Sequence, residues 1–176
     1  EWVQRQGLRD RDVAAPAASM DASDDVAVDP VMSERRDLAR FMRLGELLLD
    51  RGHAEAALIE FAKADGPEGR TSPLLQTRIA QAHAALGDLA SARAQLEQTL
   101  ALYPDFTLAW RALGDLEAKA GRRRQARKAY AQVVAFDPFD AEVHGLLVKL
   151  YAEAEMAKKA ERHRAQLKIL RRGGEG

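Results

Sequence analysis

The chain has 176 residues, 47% of them hydrophobic, which suffices for one ordinary domain and excludes a wholly disordered protein. It contains no cysteine, so disulfide scaffolds, thiolate metal sites and thiol nucleophiles are excluded together, and the sequence assigns no compartment. The formal net charge is zero but unevenly spread: residues 1–70 carry 10 basic and 15 acidic side chains, whereas residues 121–176 carry 13 basic and 7 acidic.

Residues 1–32 read as an N-terminal arm or linker. They show no sustained period, contain "AAPAAS", and gather Asp21, Asp24, Asp25 and Asp29 before Pro30. A short helix over Trp2 to Arg9 would place Trp2, Val3 and Leu8 on one face. The opening "EWVQRQGLRDRDVAAP" is charged where a signal peptide needs an apolar centre, and no run of eighteen apolar residues follows, so no direct membrane insertion is expected. The first residue is Glu rather than Met, which suggests a processed protein or a piece of a longer one.

From Ser33 onward apolar residues recur at three- and four-residue spacing, broken by Gly or Pro, the pattern of short antiparallel helices. Self-alignment divides a helical array over 33–174 into four units, 38–72, 73–106, 107–140 and 141–174. Each is expected to be a helix A, a turn, a helix B and a link. The eighth position holds Gly45, Ala80, Gly114 and Val148, where a small side chain lets two helices approach; Val148 fits this poorly. The fifteenth holds Gly52, Gly87, Gly121 and Glu155, and glycine there suits the left-handed residue that ends a helix. The twentieth is Ala57, Ala92, Ala126 and Ala160 without exception. The twenty-fourth is Phe61, Leu96, Tyr130 and Arg164. Pro104 and Pro138 cut helix B from the next helix A, whereas the first unit ends in "DGPEGRTSP", which predicts a longer or reoriented joint.

These residues resemble the tetratricopeptide repeat family, whose thirty-four-residue pattern sets Trp, Leu-Gly, Tyr, a small residue, an aromatic, Ala and Pro at fixed places. The third unit matches best, with Trp110, Leu113, Gly114, Gly121, Ala126, Tyr130 and Pro138 in register and Glu117 in place of the usual helix-A aromatic. The resemblance covers about residues 38 to 170 and implies an all-α, right-handed α-solenoid of stacked helix-turn-helix repeats. Its C-terminal capping helix would lie over 157–171, solvated by Lys158, Lys159, Arg162, Arg164, Lys168, Arg171 and Arg172. The expected structural core includes Gly45, Ala57, Phe61, Ala92, Leu96, Trp110, Gly114, Ala126, Tyr130 and Ala160, with Trp110 as its anchor.

Nothing in the sequence carries catalysis. There is no HExxH, phosphate loop, Gly-x-Ser-x-Gly elbow or calcium loop, so no catalytic residue, metal or cofactor is assigned. His83 and His144 fall where the family has packing aromatics, while His53 falls in a turn and His163 on the cap. "GRRRQARKAY" opens a helix B and reads as a solvated face, and a nucleic-acid partner is not expected.

The resemblance implies a function as a protein–protein interaction scaffold that binds a peptide or protein partner in a concave groove and assembles a larger complex. Carried over position by position, the groove would be lined by Met42, Glu46 and Leu49; Leu74, Thr77 and Gln81; Leu108, Arg111, Asp115 and Lys119; and Lys149. Met42, Leu49, Leu74 and Leu108 would form an adaptable apolar strip. Arg111, Asp115 and Lys119 are four apart and equally fit ion pairs along one helix. The positions that grip a C-terminal carboxylate in some family members hold Met42, Glu46, Arg78, Leu108 and Ala112 here, so that clamp is not expected. Two other readings are a recognition or assembly module of a larger enzyme, such as a peptidase, with catalysis upstream of residue 1, and self-association of the acidic arm with the basic cap.

Overall fold

The computed structural model describes residues 30–65 and 72–173, with side chains described from 37 to 172 within those stretches. The described residues form eight α-helices and no strand: α1 (Pro30–Asp50), α2 (Ala54–Ala64), α3 (Pro73–Ala85), α4 (Leu89–Leu102), α5 (Thr107–Lys119), α6 (Arg123–Phe136), α7 (Ala141–Glu153) and α8 (Ala157–Gly173). The protein is all-α, as expected. Residues 30–32, read as the end of an arm, instead begin α1; proline suits a first helical turn because its missing N–H would have no partner there. The arm proper, with the helix expected at Trp2 to Arg9, lies outside the described residues, as do residues 66–71 of the first joint.

Each odd-numbered helix pairs with the even-numbered one after it, and that partner also packs on the next odd-numbered helix. The odd-numbered helices touch one another as well, α1 on α3 and α3 on α5. They therefore form an inner layer, with α2, α4, α6 and α8 outside.

Four identical turns hold the hairpins. In each, a residue with positive φ follows α1, α3, α5 or α7: Gly52 at 81°, Gly87 at 88°, Gly121 at 73° and Glu155 at 56°. Its N–H donates to a carbonyl three residues back and the next N–H reaches five back, as in Gly121 to Ala118 and Arg122 to Glu117. This pair of bonds satisfies carbonyls that the helix end would leave bare. The fourth turn forms although its left-handed residue carries a side chain, a conformation that costs roughly 1–2 kcal/mol away from glycine.

Within each hairpin the eighth position meets the twenty-fourth. The Phe61 ring lies over Gly45 and the Tyr130 ring over Gly114, so closely that an added Cβ would come within 3.0 Å of three ring atoms in either case. Where the outer residue is the smaller Leu96, the inner one is Ala80, and both are buried. Ala57, Ala92, Ala126 and Ala160 are buried at the crossings.

Three apolar clusters result, around Phe61, Leu96 and Tyr130. Trp110 is half-buried and packs on the second and third together, while its indole Nε1 donates to the Pro104 carbonyl at 2.7 Å. His144, thirty-four residues on, is buried in the equivalent place with Nε2 3.1 Å from the Pro138 carbonyl. His83 is only half-buried, 4.0 Å from the Asp88 carboxylate. The cap helix α8 fully buries Ala160 alone among its described residues, whereas α6 buries Ala126, Ala129, Tyr130 and Val133.

These contacts give opposite signs to two glycine substitutions. Gly114→Ala is expected to destabilise the array by about 1–3 kcal/mol by overpacking against Tyr130. Gly145→Ala, with nothing within 4 Å of the new methyl, should stabilise α7 by about 0.5–1 kcal/mol, as urea unfolding would measure. Glu155→Gly should stabilise by about 0.5–1 kcal/mol, the difference between relieved backbone strain and glycine's greater unfolded entropy.

Candidate partner-binding groove

The inner layer puts the expected groove residues into unequal surroundings. Met42 and Leu49 on α1 are half-buried against the Phe61 cluster, and Leu74 is also half-buried, so the apolar strip is largely spent on packing. Leu108 remains exposed at 46%. Thr77 is a correction: it is buried, with its hydroxyl donating to the Pro73 carbonyl at 2.7 Å. Its position lies where successive inner helices meet, and a short side chain there is covered. Lys149 is exposed on α7, apart from the others.

The charged groove residues mostly reach between repeats. Arg78 of α3 donates from Nε to Glu46 of α1 at 2.9 Å and from Nη1 to Gln81 at 3.0 Å. Arg111 does not pair along α5; it crosses to α7, where Glu142 lies at 2.5 Å and Asp140 at 3.7 Å. Lys119 donates to the Ala84 carbonyl near the end of α3 at 2.8 Å. Asp115 accepts the Tyr130 hydroxyl at 2.5 Å. Burial raises the Asp115 carboxyl above its ordinary range despite the opposing influence of that hydroxyl and of Arg111. Burial, then the bond to Asp115, raises the Tyr130 hydroxyl as well.

Gln81, Asp115 and Lys119 are brought together at the rim of a hollow of about 260 Å³ between α3 and α5. Its floor is made of small or apolar residues, among them Ala80, Ala84, Ala112, Leu96 and Leu116. Thr77, Leu74, Leu108 and Lys149 do not line it. The alanines of α3 and α5, Ala80, Ala84, Ala85 and Ala112, leave little side-chain bulk between the two helices there.

Sequence reasoning missed one charge cluster. Glu117, standing where the repeat pattern has an aromatic, is buried and holds Arg93 Nε at 2.6 Å and Arg122 Nε at 2.5 Å. The signal was present, since a carboxylate inside a packed helix face demands cationic partners. The basic run after Gly121 is likewise more than a solvated face: Arg122 serves Glu117, Arg123 lies 3.1 Å from Glu153, and Arg127 reaches the Leu150 carbonyl. No group of three or more His, Cys, Asp or Glu able to hold a metal occurs among the described residues, and none of their helices is long and apolar enough to cross a membrane.

A raised carboxyl binds its proton more tightly in the folded chain than the roughly 3.9 of the unfolded one. Asp115 therefore costs stability as pH rises from about 4 through the folded value. Asp115→Asn keeps an acceptor for Tyr130 and removes that cost, so the variant's stability relative to the parent should grow between pH 4 and pH 7 in urea unfolding.

A family model described as tetratricopeptide repeat matches residues 83–150. A search of curated protein sequences finds no match. The fold is similar to the crystal structure of MamA, with a TM-score of 0.67 at 17% identity over 78% of this chain and 80% of that one. It is also similar to a thermophilic TPR protein of Thermus thermophilus, with a TM-score of 0.62 at 23% identity over 76% of this chain and 74% of that one. A third similar structure is the first TPR of Spaghetti (RPAP3) bound to the HSP90 peptide SRMEEVD, with a TM-score of 0.60 at 22% identity over 68% of this chain and 97% of that one. Four hairpins joined by the same turn give the chain the fold of these tetratricopeptide repeat proteins, and the family model matches its middle, residues 83–150.

Proposed function

We propose that the protein is a non-enzymatic scaffold that holds a protein partner by a peptide segment laid on the inner face of the array. The observation that carries this reading is the hollow between α3 and α5, with its alanine and leucine floor and its Gln81, Asp115 and Lys119 rim. At about 260 Å³ it falls below the roughly 300–1,000 Å³ of small-molecule sites and suits one apolar side chain of a peptide. Lys119 spends one of its three donors on Ala84 and keeps two for a ligand carbonyl or carboxylate. The helices that present these groups are fixed by the packing behind them, so ordering costs on binding fall mainly on the peptide.

The ligand is an internal segment or a folded surface. Of the five positions that would grip a terminal carboxylate, Arg78 alone is cationic and it is paired with Glu46, while Ala112 is buried. The related RPAP3 domain, bound to its peptide, supports the general mode and says nothing of this partner.

Panning a displayed peptide library on the intact array tests the reading. Selected peptides should carry an apolar anchor and should lose about tenfold or more in affinity with Lys119→Glu plus Leu108→Glu, while Lys128→Glu on the outer helix α6 leaves binding unchanged. Equal affinity for all three proteins would move the site off the inner face.

A further inference from the structure

The contact between the two helices of a hairpin includes one pair of residues nineteen apart, and its chemistry changes along the array. In the second unit Gln95 donates its amide to Gln76. In the third, the equivalent places hold Trp110 and the buried Ala129. In the fourth they hold His144 and His163, whose Nδ1 atoms lie 2.8 Å apart. A glutamine pair is indifferent to pH, whereas two imidazoles are not.

The bonds fix the tautomers. His144 Nε2 faces the Pro138 carbonyl, which only accepts, so Nε2 carries the hydrogen and a neutral His144 offers Nδ1 as an acceptor. The hydrogen between the rings then belongs to His163 Nδ1. One added proton can sit on the far nitrogen of His163, but one on His144 Nδ1 would set two N–H groups head to head.

The surroundings resist even the first proton. His163 stacks on Tyr151 of α7 at 5.5 Å, and the same ring already receives Arg127 of α6 at 5.9 Å and Lys159 of α8 at 5.5 Å. Arg162 adjoins it on α8, and on the α5 side Arg111 is held by Glu142 and Asp140 at the start of α7. Burial, followed by His144 and Arg162, lowers the affinity of His163 for a proton.

We propose that the His144–His163 pair is a proton-sensitive latch that releases the capping helix α8 from α7 as the pH falls below neutral. Two observations make the pair decisive at this joint. Among its described residues α8 buries only Ala160 fully, and the ring or leucine that seals the other crossings is replaced by Arg164. The sign follows from linkage: a base disfavoured in the folded state contributes fully above the roughly 6.5 of a free imidazole, and that contribution is lost as pH falls toward the lowered folded value.

Hydrogen exchange of the full chain at pH 7.2 and pH 5.5, corrected for intrinsic rates, tests the latch against His144→Gln/His163→Gln, which copies the second unit. In the parent, α8 should lose protection relative to α5 and α6, by up to about tenfold, the most that one imidazole with a free value near 6.5 can contribute between these two pH values. The double variant should show no such loss, and His53→Gln/His83→Gln should behave as the parent. Unchanged α8 protection in the parent, or the same loss in the double variant, overturns the proposal. Should the double variant not fold, imidazole nitrogen NMR of the parent decides: one Nδ1–H and one Nε2–H ring persisting below pH 6.5 supports the latch, and both rings titrating as free imidazoles refutes it.

Discussion

The fold depends on how closely two antiparallel helices can cross. A hairpin of thirteen- and fourteen-residue helices buries too little alone, so its two helices must approach until a residue of one fits beneath a residue of the other. Glycine under a ring, at Gly45 with Phe61 and Gly114 with Tyr130, is one solution; alanine under leucine, at Ala80 with Leu96, is another. The fourth hairpin puts Val148 opposite Arg164, a position with neither ring nor need for a small partner, and there the seal passes to histidines. Inner and outer volumes trade against each other within one chain.

Most of the fold was legible because backbone geometry leaves few residues able to do certain jobs. Gly52, Gly87 and Gly121 announce left-handed turns, and the invariant alanines announce the crossings. The fourth turn was harder to read, since Glu155 adopts the same conformation against its preference. The candidate groove was legible in place but not in detail. Position along a repeat says that Arg111 and Thr77 are equivalent, yet the long side chain reaches the next repeat and the short one is covered. Partners such as Arg93 for Glu117, twenty-four residues apart, depend on stacking that local spacing does not encode.

Electrostatics does different work on the two layers. Between inner helices, Glu46 with Arg78, Arg111 with Glu142 and Lys119 with the Ala84 carbonyl fix the angle of one repeat on the next. These partly exposed pairs add little net stability each, but they choose among stacking registers that apolar packing alone would tolerate. They also occupy charges that would otherwise be free for a ligand, which leaves the hollow beside Asp115 and Lys119 as the part of the face where polar groups and uncovered apolar floor coincide.

Trp110 has a consequence for mechanics. An array coupled only between neighbours behaves as beads on a string when its joints are weak and as a bar when they are strong. A side chain shared by two clusters, and pinned at its far end to the Pro104 carbonyl, couples the second, third and fourth hairpins through a single point. The middle of the molecule is therefore a spacer of set pitch: whatever docks on successive hairpins is held at a separation and angle fixed by the protein, not by the length of a tether.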